Sequence, residues 1–271
     1  MANDHYISRF LTKPWEVGQR RLHYYDFSQG TFGEASSESL FADEGLHAEA
    51  TGKLLSRLVE SPVSNYRAQV LRSSDGVALV DTRDWRVYRG LVGLTWLQVQ
   101  RLLDASAERV TMTLDALLAQ GEVVLDEMAR LATEHHVLLG VTVPSKERLF
   151  FTETAYFPIP FVGAPPILGV PLSPRHFVAL APKSYDEQQL EEWLRTESTI
   201  TAFSLGVGEG ARKVVLPPDV LPARNQNPGA LEQGLRQMRD SARELITALA
   251  KASAAGGLPA WGLAGAARKA P

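Results

Sequence analysis

Residues 122–143 read EVVLDEMARLATEHHVLLGVTV, and this stretch decides the fold. Residues 122–135 fit a helix, whereas residues 137–143 form an almost continuous apolar run that is typical of a buried strand. The chain changes character at this point, because helices are predicted mainly before it and strands mainly after it. This segregated order predicts an α+β fold rather than a regular βαβ alternation.

The part of the chain before this stretch predicts a small hairpin followed by a helical block. The aromatic run 22–27 predicts a strand, Ser28-Gln29-Gly30 a turn, and Thr31 the start of the return strand. Residues 5–11 are predicted to form one or two helical turns that end before Pro14. The helical block covers about 47–136, and Asp84 is a candidate N-cap within it.

The part after it predicts an antiparallel or mixed β-sheet and a long C-terminal helix. Strands are expected at 137–143, 148–152, 168–172, 176–181 and 213–216, within a β-rich block of about 137–218. Further helices are expected at 108–119, at 186–203 and at about 228–253, the last with Asn227 as its N-cap. One domain therefore covers 1–253, and the Ala/Gly-rich residues 254–271 are predicted to be disordered.

The composition of the chain excludes several classes of function. Its 271 residues carry a formal net charge of −3, which gives no overall electrostatic case for nucleic acid or an acidic membrane. The absence of cysteine excludes disulfides, thiol catalysis and thiolate metal sites. The first twenty residues lack the apolar core of a signal peptide. The apolar stretch 156–170 cannot be a spanning helix, because four prolines interrupt it. A cytoplasmic protein without a membrane partner is expected.

The first fifteen residues contain an unusual density of chemically capable side chains: Asp4-His5-Tyr6-Ile7-Ser8-Arg9-Phe10-Leu11, then Lys13-Pro14-Trp15. In one interpretation His5 is a general acid or base and Arg9 holds a carboxylate or phosphate. In the other, Tyr6, Phe10 and Trp15 anchor the start of the chain to the core. The sequence leaves both interpretations open.

No motif identifies a metal or a cofactor. Glu44-x-x-His47 has the spacing of a carboxylate-bridged metal site, but such sites need it twice on facing helices, and it occurs once. Gly206-x-Gly208-x-Gly210 lacks the lysine and serine of a phosphate loop and predicts a flexible connection. The sequence therefore predicts no metal site, and the cofactor stays unknown.

The last helix carries an apolar seam with a spacing of 3.5 residues, which is the pattern of a coiled-coil face. Its members are Leu231, Leu235, Met238, Ala242, Leu245 and Leu249. The seam predicts docking on the chain's own domain or, as the alternative, a homodimer contact.

The opening His5-Tyr6-x-x-x-Phe10 resembles the start of the bacterial family catalogued as domain of unknown function 4238. Further segments resemble the family up to about Pro217: residues 22–26, 53–60, 149–152 and 171–174, with Gln98, Arg101 and Pro158. The family's Val-Pro after His-Tyr is Ile7-Ser8 here. Its Ser-Asp-Asn-Pro is replaced by residues 153–156, where Glu153 is a candidate substitute for the carboxylate. The resemblance implies a bacterial protein but no established activity.

Two functions follow as hypotheses. The first is a hydrolase acting on a phosphorylated or nucleic-acid substrate, with catalytic candidates His5, Arg9, Arg101 and a carboxylate from Asp26 or Glu153. The second is a non-catalytic binding protein, in which the His-Tyr motif is a structural clasp. There the proline-rich segment 156–171 and the final helix contact a protein partner, and Tyr6, Trp15 and Ser173 are candidate binding residues.

Overall fold

The computed structural model describes residues 3–5, 7, 9–44, 53–72, 77–79, 84–93, 122–144, 147–161, 164–183, 199–205 and 212–255. These residues form an α+β fold, as the sequence predicts. Their strands are β1 (Asn3–His5), β2 (Arg21–Asp26), β3 (Thr31–Ser36), β4 (Ala42–Glu44), β5 (Val77–Leu79), β6 (His136–Thr142), β7 (Phe151–Thr152), β8 (Phe157–Phe161), β9 (Ala164–Ser173), β10 (His176–Pro182) and β11 (Lys213–Val215).

The helices of the described residues are α1 (Arg9–Thr12), α2 (Ser61–Val70), α3 (residues 85–93), α4 (Glu122–His135), α5 (Thr199–Ser204), α6 (Leu221–Gln226) and α7 (Pro228–Ala255). The predicted caps are confirmed, since Asp84 Oδ1 accepts the Arg86 N–H and Asn227 Oδ1 accepts the Ala230 N–H, each at 3.1 Å. None of the described helices is long and apolar enough to cross a membrane. The helices predicted at 108–119 and over most of 186–203 lie outside the described residues.

A five-stranded antiparallel sheet in the order β5-β6-β10-β9-β8 forms the centre of the second half. Strands β6 and β10 pair over seven positions, from His176 opposite Thr142 to Pro182 opposite His136. Both faces of this sheet are covered, because Leu138 packs into one hydrophobic cluster and its neighbour Leu139 into another. Burial on both faces explains the unbroken apolar run that opened the sequence analysis.

The structure corrects three predicted elements. Most of the proline-rich segment 156–171 forms the β8–β9 hairpin, of which only residues 168–172 were predicted as a strand, and Phe157 is buried against Phe177 at 5.3 Å between ring centroids. The two prolines of β8, Pro158 and Pro160, are tolerated because β8 is an edge strand, which needs no backbone donor on its open side. Helical turns were predicted over residues 5–11, but residue 5 ends a strand formed by residues 3–5, and the described helix covers residues 9–12. Of the predicted strand 148–152, only residues 151–152 form a strand.

A second antiparallel sheet, in the order β3-β2-β11-β7, joins an early and a late part of the chain. The predicted hairpin β2–β3 is present, and Gly30 in its turn has a φ of 66°, which glycine adopts without strain. Strand β11 pairs with β2 on one side and with β7 on the other. The hairpin therefore depends on residues from the second half of the chain.

Helix α7 lies across both sheets. Leu235 packs with Tyr25 and Val214 of the four-stranded sheet, and Ala242 packs in the cluster that contains Phe203 and Phe177. The seam thus docks on the chain's own domain, although Leu245 remains 38% exposed while Ile246 packs inward instead. The packed positions follow the 3.6-residue period of a single helix rather than the 3.5-residue period of a coil. The homodimer stays a prediction.

Helix α3 approaches the segment before α2 very closely at Gly90. That segment, Ser56–Glu60, is a π-helical turn that continues directly into α2. A Cβ placed on Gly90 would lie 2.7 Å from the Val59 carbonyl oxygen and 2.6 Å from Val63 Cγ2. The two helical segments can therefore pack at this distance only because position 90 has no side chain.

Candidate functional site

Two of the predicted catalytic carboxylates, Asp26 and Glu153, lie on either side of Lys213 at one end of the four-stranded sheet. Asp26 is the last residue of β2 and pairs with Lys213, the first residue of β11. Glu153 follows β7 directly, and its Oε1 accepts the backbone N–H groups of Arg212 at 2.7 Å and Lys213 at 2.8 Å. The sheet therefore places the two carboxylates that the sequence offered as alternatives at the ends of the two strands that flank β11.

Asp26 closes the turn of the hairpin. The residue is 4% exposed, and its Oδ1 accepts hydrogen bonds from Ser28 N at 2.9 Å, Ser28 Oγ at 2.5 Å and Gln29 N at 3.2 Å. Burial alone would raise the pKa of Asp26, but these hydrogen bonds and the charge of Lys213 outweigh it and lower the pKa. An ionised carboxylate with three donors on one oxygen acts as a turn cap.

We expect Asp26→Asn to reduce the free energy of unfolding by about 1–2 kcal/mol at neutral pH, because charged hydrogen bonds become neutral ones. The folded-state pKa of Asp26 lies below its ordinary value of 3.8. Its contribution is therefore present above that value and is lost as the pH falls through the folded-state pKa. Urea unfolding at several pH values should show the difference between variant and wild type shrinking in acid. Asp240→Asn, at an exposed position of α7, should change stability by less than about 0.5 kcal/mol, and an equal loss there would contradict the prediction.

The start of the chain is held down by burial, as expected of an anchor. Ile7, Leu11 and Trp15 are spaced by four residues and are at most 1% exposed. The Trp15 indole donates from Nε1 to the Leu149 carbonyl oxygen at 3.2 Å, and its ring centroid lies 5.2 Å from that of Phe151. Arg9 forms an exposed ion pair with Glu38 at 3.1 Å. Among the predicted residues, Trp15 is thus core, and Arg9 makes a surface contact.

Ser173 holds the turn between β9 and β10. Its Oγ accepts the backbone N–H groups of Arg175 at 3.2 Å and His176 at 3.0 Å, and lies 2.8 Å from His176 Nδ1. Because the Ser173 oxygen accepts both backbone bonds, its hydroxyl proton is available for donation to His176 Nδ1. Ser173 therefore works as a turn residue in the structure.

Of the remaining candidate site residues, the structure describes only His5. His5 lies in β1, and its backbone pairs with Ala42 of β4. Tyr6, Gln98, Arg101, His47 and residues 206–211 lie outside the described residues. The predicted meeting of His5 with Arg101 therefore stays a prediction.

A set of cations that stack on the aromatic rings of the hairpin was not predicted from the sequence. Four described cations lie over rings of the hairpin, between 4.0 and 5.7 Å from the ring centroid: Lys213 on Tyr24, Arg224 on Phe32, Arg236 on Tyr25 and Arg239 on Phe27. Such contacts contribute about 0.5–2 kcal/mol each, most where water is excluded. The only sequence signals were the aromatic density of residues 24–32 and the arginine spacing on α7.

Helix α7 also forms a polar network with the hairpin. Tyr25 donates its hydroxyl to Glu232 Oε1 at 2.7 Å, and the same oxygen accepts from Arg236 Nε at 2.9 Å. Burial and the bond to Glu232 raise the pKa of Tyr25 to about 12. Burial, followed by the charge of Arg243, lowers the pKa of the 5% exposed Arg239 to about 10, so Arg239 remains a cation at neutral pH.

The outer side of α7 borders a shallow groove of about 570 Å³. The described residues that line it are polar or charged apart from one glycine: Gly229, Glu232, Gln233, Arg236, Gln237, Asp240, Ser241 and Glu244. Within the part of the chain that the structure describes, no group of three or more His, Asp or Glu side chains could hold a metal ion. The arrangement is thus suited to polar contacts.

Comparison with family models, with curated proteins and with solved structures gave no match.

Proposed function

We propose that this chain is a non-catalytic binding protein. The observation that carries the proposal is that each described side chain of the predicted site already performs a structural task. Asp26 and Ser173 close turns, and Glu153 binds the two backbone N–H groups at the start of β11. Trp15 is buried in the core, and Arg9 is paired with Glu38. A catalytic carboxylate or hydroxyl would need its oxygen available to a substrate.

The outer face of α7 is the surface that we propose for the contact with a protein partner. Its inner face is occupied by the two sheets, whereas the outer face offers the groove along residues 229–244. Glu232 and Arg236 are bonded to each other, and Gln237, Asp240 and Glu244 are exposed. Charged and amide side chains on a rigid helix favour a partner that presents complementary polar groups.

The hydrolase remains the second candidate, with His5, Arg9 and Arg101 and a phosphorylated or nucleic-acid substrate. The position of Asp26 and Glu153 on either side of Lys213 favours it, because two carboxylates and a cation lie at the same end of the sheet. Membership of the bacterial family 4238 and a cytoplasmic location are also part of the proposal. The His-Tyr start and the Leu-Ser-Pro turn at residues 172–174 support the family membership.

Site-specific photo-crosslinking in the cell that makes the protein tests the binding function. A photoreactive residue at Gln237, on the groove, is expected to give a discrete adduct, and one at the exposed Lys183 is not. Asp240→Lys should lower the yield of the Gln237 adduct about fivefold through one reversed charge contact. No adduct at Gln237, or the same adducts from both positions, would contradict the proposal. Hydrolysis of phosphate esters that Glu153→Gln abolishes without unfolding would support the hydrolase instead.

A further inference from the structure

His23 lies between two charged groups that compete for the same ring nitrogen. Arg224 NH1, on α6, is 2.7 Å from His23 Nδ1, and Glu34 Oε2, on β3, is 3.8 Å from the same atom. Arginine is always a donor, so Nδ1 accepts and the neutral ring carries its proton on Nε2. The histidine side chain is 17% exposed, which places this contact at the rim of the packed hairpin.

Among the described residues, the hydrogen bond from Arg224 to His23 attaches α6 to the hairpin. Helix α6 connects the end of the four-stranded sheet with Asn227, the N-cap of α7. Arg224 lies over the Phe32 ring at 5.6 Å and donates to His23. A change in the protonation of His23 therefore acts directly on α6, the helix that precedes α7.

We propose that His23 is a pH-sensitive latch: the neutral imidazole accepts a hydrogen bond that holds α6 on the β2–β3 hairpin, and the protonated imidazole turns to Glu34 and releases Arg224. Protonation converts Nδ1 from an acceptor into a donor, so the bond from Arg224 becomes an encounter of two donors with like charge. Glu34 is already within 4 Å and accepts the new N–H after a small rotation of the ring.

The charges around His23 set the direction of the response. Among the described residues, these are Glu34 on β3, Arg224 on α6 and Arg21 on β2. Leu216, which follows β11, donates its N–H to the His23 carbonyl oxygen and carries no charge. Burial lowers the pKa of His23, and the two arginines lower it further against the opposite effect of Glu34. The hydrogen bond from Arg21 keeps the pKa of Glu34 low, so Glu34 stays ionised while His23 titrates.

The sign of the stability change follows from this shift. The folded state prefers the neutral imidazole more strongly than the unfolded chain does. The stabilisation is therefore complete above the ordinary pKa of 6.5 and is lost as the pH falls from there through the lower folded-state pKa. Release of α6 is thus expected in mild acid.

Amide hydrogen exchange on the full chain tests the latch. The reporter is the Asn227 N–H, which donates to the Ala223 carbonyl oxygen at 2.9 Å across the end of α6. Between about pH 7.5 and about pH 5.5, and after correction for the intrinsic rate, its protection should fall about tenfold, as expected for one charged hydrogen bond. The Val214 N–H of β11 should keep its protection and report that the sheet is intact.

His23→Asn retains an acceptor near the Nδ1 position but cannot titrate, so the protection of Asn227 should become independent of pH. His135→Asn, at an exposed position of α4, is the matched control and should leave the wild-type response unchanged. In Arg224→Gln, the midpoint of the His23 ring titration, followed by NMR, should rise by about half a unit or more because a cation is removed. An equal fall of Asn227 protection in His23→Asn, or an unchanged midpoint in Arg224→Gln, would overturn the latch.

Discussion

Replacing Trp15 with alanine is expected to lower the free energy of unfolding by about 3–5 kcal/mol. The indole is fully buried, stacks on Phe151 and is surrounded by the largest hydrophobic cluster of the described residues. Its removal leaves a cavity and also leaves the Leu149 carbonyl oxygen without the donor from Nε1. A domain of this kind has only about 5–15 kcal/mol of stability, so the variant should be close to unfolding at physiological temperature.

Trp15→Phe is the matched control, because it keeps an aromatic ring against Phe151 and removes the donor and part of the volume. Its loss should be smaller, about 1–3 kcal/mol. Urea unfolding followed by circular dichroism measures both variants against wild type. A loss below about 1 kcal/mol in Trp15→Ala would show that the start of the chain is not the anchor described above.

Gly90→Ala is expected to lower the free energy of unfolding by about 3 kcal/mol, which is at the upper end of overpacking effects. The new methyl group would lie 2.7 Å from the backbone oxygen of Val59, which cannot rotate away as a side chain would. Either α3 or the π-helical turn must shift, and the shift disturbs the contacts of Val63 as well. The gain in helix propensity from alanine, about 1 kcal/mol, is too small to compensate.

The same substitution at Gly234 should raise the free energy of unfolding instead of lowering it. Gly234 lies inside α7, and a Cβ there would have no atom within 4 Å. Alanine at that position should stabilise the protein by about 0.5–1 kcal/mol through helix propensity alone. Thermal unfolding of both variants compares the two effects directly. A destabilised Gly234→Ala together with a neutral Gly90→Ala would refute the close approach of α3.

The sequence predicted the parts of the fold that depend on residues close together in the chain. The β2–β3 hairpin followed from the turn at residues 28–30, and α7 followed from its cap and its apolar seam. The partner of the hairpin could not be predicted, because the pairing of β2 with β11 depends on a contact between distant segments. The β8–β9 hairpin was missed because prolines argue against a strand unless the strand is known to lie at an edge.

The candidate site shows the same limit. Sequence reasoning selected Asp26 and Glu153 by their chemistry, and the sheet does place them on either side of Lys213. It could not show that Glu153 Oε1 accepts two backbone N–H groups, since those bonds depend on the pairing of β7 with β11. The bonds of Asp26 Oδ1 to Ser28 and Gln29 lie within the turn itself. The stacking of Arg239 on Phe27 was missed because neither residue is unusual within its own segment.

The attachment of the early β2–β3 hairpin to late parts of the chain has a consequence for the synthesis of the protein. Tyr25 and its partner Glu232 are 207 positions apart. At about 5–20 residues per second, a ribosome needs roughly 10–40 s to bridge that interval. A two-stranded hairpin is marginal by itself, so its aromatic residues must wait in the nascent chain without their final neighbours. During that interval the aromatic side chains are accessible to chaperones. The hairpin is stabilised only after the last quarter of the chain has left the ribosome.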